Sequence, residues 1–378
     1  MKLRKKFTAV MLAGAMLMAN AAMALADGSR VVTLGVDLNS NQKQMMLNYF
    51  GVNKDEVMII DVSNAEERKY LRGVASDAQL GRHTISCAYV EPTDSNGINV
   101  KTANLTWVTS SMIASTLTTA GLQNANVVAA APYAVSGTGA LTGVIKAFED
   151  ASGETLDEDK KELANEELIT TGDLGEEIGQ DEATGVVNDV KEQVIKDNVT
   201  DTMQIADIIN NVTNNYNVTL TQKQIDQLIS LMQKIAEQGY NYNDIKVTLE
   251  NVQFNVNENL SSLGHNVNTV GLFEKIKHWF SNIGGNDVGI LEQTDESALG
   301  SDAVISATEK DLQDSANKVL EQARNSIEEF ANSKEGQEAL DQAEDIANDV
   351  ADQAKGAYNE AKESGLIDRI IAWFENLF

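Results

Sequence analysis

The sequence predicts an α+β protein: a mixed-sheet α/β sandwich domain, then a helical domain and an acidic helical tail. Three observations predict it. Short β-branched runs mix with amphipathic runs over residues 27–150, and a hairpin-like pair interrupts their alternation. Apolar residues recur at i, i+3, i+4 and i+7 between 182 and 263. The formal charge of −28 is also uneven: net −1 over 27–147, −13 over 148–197, −3 over 198–284, −14 over 285–364 and −1 over 365–378. Such shifts mark boundaries. The expected divisions are a signal peptide (1–26), an α/β domain (27–150), a helical domain (151–284), an acidic Ala-rich helical or partly disordered linker (285–364) and an amphipathic C-terminal helix (365–378).

The first segment is an address. Lys2, Arg4, Lys5 and Lys6 precede an apolar run to about Leu25, and Ala24, Leu25 and Ala26 form an A-x-A site before Asp27. That is the pattern of a cleaved secretory signal. It predicts a secreted or cell-envelope protein, and the signal pattern looks bacterial. Cys87 is the single cysteine, so intramolecular disulfides are excluded and the core must supply the stability. Strong acidity disfavours nucleic-acid partners.

Within 27–150, residues 30–36 (RVVTLGV) and 57–62 (VMIIDV) read as buried strands. Asn39 caps a helix running to Phe50, and Ser63 or Asn64 caps a short one to Leu71. Residues 84–91 and 98–107 read as a hairpin around Asn96-Gly97. A helix over 110–121 ends at Gly121. A strand over 126–131 closes at Pro132, and a helix follows over 141–151. In the next block the periodicity predicts one long helix over 182–210. Thr221 opens another, ending at Gly239, and a third runs from Asn243 to about Leu263. Beyond about 306 a narrow Ala-rich seam of seven-residue period continues to 361, readable as a weak coiled coil or a solvated, partly disordered tail.

Residues 271–283 (GLFEKIKHWFSNI) and 365–377 (GLIDRIIAWFENL) repeat one amphipathic pattern. Leu272, Phe273, Ile276, Trp279 and Phe280 share a helical face, as do Leu366, Ile370, Trp373, Phe374 and Leu377. Thirteen helical residues span only ~20 Å, too short for a ~30 Å hydrocarbon core. The polar faces lack the Lys/Arg enrichment of interfacial helices. Protein packing or self-association is therefore the expected role, with membrane or wall-surface contact as the alternative.

Catalytic constellations are scarce. His83 and Cys87 would lie ~13 Å apart along a strand, far from a reacting pair. Ser136, Gly137, Thr138 and Gly139 form a glycine turn before a helix, where free N–H groups can hold an anion. It lacks the lysine and spacing of a P-loop. His83, His265 and His278 have no zinc-ligand spacing. Asp37, Asn39 and Asn41 begin like a calcium loop, but Gln42 and Asn48 stand where glycine and glutamate are required. No cofactor is expected, beyond weak divalent-cation binding by the acids of 154–182.

The runs 99–109 (NVKTANLTWVT), 117–121 (LTTAG) and 131–143 (APYAVSGTGALTG), with VTLG at 32–35, resemble the YpuA-like family of exported Gram-positive proteins, built on a domain of unknown function. The resemblance covers about 30–250. It implies a cell-envelope or extracellular location and no particular activity. The expected function is thus non-catalytic, through protein or surface interaction. The alternatives are a ligand-binding or hydrolase domain with an anion site at the 136–139 turn, and membrane-interface binding through the amphipathic helices 271–283 and 365–378.

Overall fold

The computed structural model describes residues 30–71, 73–263, 289–301 and 303–308, all within one compact unit. The expected signal peptide, both amphipathic repeats and the Ala-rich seam lie outside these residues.

The strands are β1 (Val31–Gly35), β2 (Met58–Val62), β3 (Cys87–Pro92), β4 (Ile98–Leu105), β5 (Ala125–Val135) and β6 (Ile305–Ala307). They form one mixed sheet in the order β2-β1-β3-β5-β4-β6. β1 pairs parallel with β2 and β4 with β5, while β3 and β6 run against their neighbours. The four co-directional strands therefore end on one edge.

The expected hairpin of 84–91 with 98–107 is corrected here. β3 and β4 do not pair, because β5 lies between them. The turn exists, with Asn96 and Gly97 both at positive φ. Its backbone instead holds the entry to β5: Thr93 N–H donates to the Asn124 carbonyl and Gly97 N–H to Asn124 Oδ1. β5 is buried on both faces from Ala125 to Pro132, as suits a central strand. It also runs through Pro132 to Val135 instead of stopping there.

The helices are α1 (Ser40–Tyr49), α2 (Asn64–Leu71), α3 (Asp77–Leu80), α4 (Ser110–Ala120), α5 (Ala140–Ser152), α6 (Glu158–Ile178), α7 (Gln180–Lys196), α8 (Thr202–Asn215), α9 (Gln222–Glu237) and α10 (Tyr242–Ser262). The local signals set several ends. Asn39 and Thr221 close reciprocal capping boxes with Gln42 and Gln224, and Gly121 ends α4 in a left-handed conformation. Residues 182–210 are not one helix. Asn198 turns the chain at positive φ, and the Asp201 carboxylate caps a new helix by accepting from Met203 and Gln204 N–H. α6 falls in what reads as an acidic stretch, because its apolar residues (Leu163, Leu168, Ile169, Leu174) are outnumbered by surface acids.

Side-chain alternation divides the strand residues between two cores. Val31, Ala88, Val90, Val100, Val127 and Ala129 face α4 and α5, and this core continues through α6, α7 and α10 to α8 and α9. Val32, Leu34, Tyr89, Val128 and Ala130 face α1 and a returning segment carrying Ile290 and Leu291. Residues 289–308 belong to the stretch expected to be acidic linker, yet they return to the sheet. Their apolar residues join those of α1 in covering this face. Thr308 Oγ1 lies 2.8 Å from Val100 N and 3.2 Å from its carbonyl O; Asn104 N–H reaches the Val304 carbonyl at 2.8 Å.

Candidate functional site

In open α/β sheets the carboxyl edge of the strands is the usual place for a ligand. Here that edge gathers Asp37 after β1, α2 after β2, His83 and Thr84 before β3, and the 136–139 turn after β5. Ser136 is exposed, while Gly137 and Thr138 are buried. The Ser136 carbonyl accepts from Trp107 and Val108 N–H. Thr138 Oγ1 donates to the Gln79 carbonyl at 3.0 Å. Gly137 sits at φ +89°, where a side chain would be strained.

The end of α5 is not open. Gly139 caps it without a side-chain hydrogen bond, and the Glu67 carboxylate lies so close that a Cβ on Gly139 would collide with it. Glu67 is 4% exposed. Burial pushes its carboxyl up to about 7, with Asp37 and Glu66 adding repulsion. Asn64 Nδ2 donates to it at 3.2 Å. An anion approaching this helix end meets the protein's own carboxyl group first.

His83 and Cys87 have different surroundings. His83 is largely exposed, with Nδ1 3.6 Å from Asp37 Oδ1. Cys87 is sealed in the second core, and burial pushes its thiol up to about 12, so it holds no nucleophilic thiolate at neutral pH. Asp37 Oδ2 accepts from Thr84 N–H and Asn39 caps α1, so two side chains of the calcium-like pattern serve backbone. In the acidic stretch 154–182, Glu158 pairs with Lys69 and Lys161, Glu166 with Lys234, and Glu167 with Lys191. Among the described residues no three or more His, Cys, Asp or Glu side chains converge as metal ligands.

Two features escape the sequence reading. One is a buried polar cluster between α4, α6 and α7. Lys191 Nζ, 0% exposed, donates to Glu167 Oε1 at 2.7 Å, to Ser115 Oγ at 3.0 Å and to the Ser115 carbonyl at 2.8 Å. Thr118 and Thr119 hydroxyls complete its shell, and Tyr240 donates to the Thr119 carbonyl. A serine beside a lysine suggests nucleophile and base, but this lysine is spent on a carboxylate and no solvent reaches it. Its role is to fix how three helices pack. The signal was present: Lys191 stands four residues after Val187 and three before Val194, on the apolar stripe of α7.

The other is a cleft of about 470 Å³ between α6 and α9. The helices run antiparallel, since Lys234 late in α9 holds Glu166 early in α6, and Gln224 early in α9 donates to Glu177 late in α6 at 2.8 Å. Ile169, Leu174 and Leu228 are buried beneath it, and Gly73 and Val74 form a third wall. Asp173 stands on the rim and accepts from Gln79. Burial raises its carboxyl above the ordinary carboxylate range, and Glu176 and Glu177 add to this. Gln79 therefore touches both the cleft, through its side chain, and the 136–139 turn, through its carbonyl.

A family model described as "Protein of unknown function (DUF1002)" matches residues 34–252, from β1 into α10, and takes in both the turn and the cleft. The chain belongs to this family. Another member-like sequence, the uncharacterized protein YpuA of Bacillus subtilis (strain 168), is 35% identical to the DUF1002 chain over 267 residues, covering 69% of the chain and 91% of the relative. No solved structure matches the chain. The DUF1002 match stops before the returning segment 289–308, which nevertheless completes the second core.

Proposed function

We propose that this chain is an exported, non-catalytic protein of the cell envelope or extracellular space that works by binding, with the α6–α9 cleft as its partner-facing surface. The cleft carries the reading. Its volume lies in the range of ligand sites, and its lining is mainly polar, with Glu166, Asp173, Glu177, Lys223 and Lys234 around it. The sealed Cys87 and the fully engaged Lys191 are consistent with a scaffold built for packing. The signal-like first 26 residues support export.

Two measurements test it. Fractionation of a producing culture, with N-terminal sequencing, is expected to find the protein outside the membrane starting at Asp27; cytoplasmic retention with an intact N-terminus overturns export. A photo-crosslinking residue placed at Gln227 in the full chain is expected to capture a partner in the envelope fraction. The absence of any adduct from Gln227 and Val74 overturns the cleft as the working surface.

The repeated faces around Trp279 and Trp373 favour a second contact, with protein or another copy of the chain. Trp279→Glu with Trp373→Glu is expected to lower the mass seen by light scattering. Loss of liposome co-sedimentation at unchanged mass would instead assign these faces to a membrane surface.

A further inference from the structure

The buried residues of α2 are Glu67 and Leu71. They stand four apart and share one face of the helix, so half of what α2 turns inward is a carboxyl group. Leu71 and Leu80 of α3 pack with Ile169 of α6 in a small cluster apart from the two main cores. Polar ties near the surface add to this hold. Lys146 of α5 donates to Glu66 at 2.6 Å, Lys69 to Glu158 of α6 at 2.6 Å, Gln79 to Asp173 at 2.5 Å, and Thr138 to the Gln79 carbonyl at 3.0 Å. Between β2 and β3, α2 and α3 thus lie as a strap on the start of α5, with the Glu67 carboxyl against Gly139.

The charges around Glu67 leave it without a counter-charge. Asp37, from the end of β1, and Glu66, beside it on α2, both repel it. Lys146 of α5 is engaged by Glu66 and the Asp61 carbonyl. Arg68 turns to Asp77 and the Gly81 carbonyl. On α6, Lys161 is held by Glu149 and Glu158. Ahead of β3, His83 faces Asp37. Asn64 Nδ2 gives Glu67 a neutral hydrogen bond.

We propose that α2 and α3 form a pH-operated strap: with Glu67 protonated the strap lies closed on α5, and with Glu67 ionised it lifts, uncovering Gly139 and the 136–139 turn and withdrawing Gly73 and Val74 from the α6–α9 cleft. A neutral carboxyl is tolerated in this buried place, whereas a carboxylate there is an uncompensated buried charge that gains by reaching water. Burial raises the Glu67 carboxyl to about 7, so the change falls near neutrality. The closed state holds the proton more tightly than an open state with an ordinary carboxyl. Closure is therefore favoured at low pH and weakens as pH rises. Lifting exposes little apolar surface, chiefly Leu71 and Leu80, so it is a local opening and not unfolding of the sheet. It is independent of what the cleft binds.

The test is hydrogen exchange of the full chain between about pH 5 and pH 8, with each rate corrected for the intrinsic pH dependence of exchange. Protection of α2 and α3 is expected to fall roughly tenfold or more across this range, while β1, β3 and β5 keep theirs. Glu67→Gln is expected to hold the strap's protection constant. His83→Gln changes an exposed ring and is expected to retain the fall. An equal fall in strap and sheet means that ionisation loosens the whole domain, and overturns the strap. Constant protection in the wild type means that the N-terminus of α5 holds the carboxylate in place, and also overturns it. Loss of the fall in His83→Gln transfers the trigger to the histidine and removes Glu67. NMR titration of the Glu67 side chain in the wild type needs no variant; an ordinary carboxyl midpoint there sinks the proposal by itself.

Discussion

Lys191 Nζ lies 2.7 Å from Glu167 Oε1, and neither residue has any exposed surface. The pair joins α6 to α7, and through Ser115, Thr118 and Thr119 it joins both to α4. Removing one partner strands the other as an uncompensated buried charge. Lys191→Met is expected to cost about 3–5 kcal/mol. Lys191→Met with Glu167→Leu removes both charges and is expected to recover much of that loss. Urea unfolding of the three proteins checks this. A double variant no more stable than the single one would show that the hydroxyl shell, not the stranded charge, dominates.

Glu67 makes stability depend on pH. Its carboxyl, ordinarily at 4.5, stands at about 7 in the folded chain. Between those values the folded state holds the extra proton, so unfolding free energy falls as pH rises through this window. The stabilisation is complete below about 4.5 and is lost on passing 7, a change of roughly 3 kcal/mol. Glu67→Gln keeps a neutral side chain of the same shape and is expected to flatten the profile of urea midpoint against pH. An equal slope in wild type and variant would assign the dependence to other groups.

Gly139 tests the same contact from the other side. A methyl there collides with the Glu67 carboxylate, so Gly139→Ala must move α2 or α5. The expected cost is about 1–3 kcal/mol, typical of overpacking a closed site. Glu67 should also titrate closer to an ordinary carboxyl once forced outward. Side-chain NMR titration of Glu67 reads this directly, and an unchanged midpoint would show that the helix moved instead.

Cys87 should be silent to thiol reagents. It is 1% exposed, with its thiol pushed up to about 12. No labelling is expected over hours at pH 8 in the native chain, with stoichiometric labelling in urea. Fast native labelling would show that the second core opens readily.

The returning segment should behave as core. Leu291→Ala and Ile290→Ala each remove a buried side chain from the second face of the sheet and are expected to cost about 2–4 kcal/mol. A chain ended before Gly289 would lose β6 and both of these residues. It should bind a hydrophobic dye and lose its cooperative unfolding transition. Wild-type unfolding of that shortened chain would show α1 sufficient to cover this face.

Much of the local structure was legible because it is decided within a few residues. Asn39, Thr221 and Gly121 act on backbone groups at most four positions away, and the capping signals located those ends. The buried strand run of β1 was equally plain; β2 is a strand as read but not a buried one, because it lies at the sheet edge with Met58 and Asp61 exposed and only Val62 buried. The single helix read over 182–210 failed at Asn198, where apolar periodicity continues across a break that one left-handed residue and an Asp201 cap impose. At the glycine turn, Ser136, Gly137, Thr138 and Gly139 announced a helix start. Nothing near them in sequence announced Glu67, which arrives from 72 positions away.

By itself the sequence determined the α+β class, the caps and most element positions, the acid-rich segmentation and the family resemblance. These follow from short-range hydrogen bonding, side-chain periodicity and composition. Only the tertiary structure decided that β5 parts β3 from β4, that residues 289–308 help close the second core, that Lys191 finds Glu167, and that Asp173 and Glu177 line one cleft with Lys223 and Lys234. Each depends on pairing between distant segments. Many alternative partners satisfy the same local pattern, and the choice among them is made by how two whole faces of a sheet are removed from water.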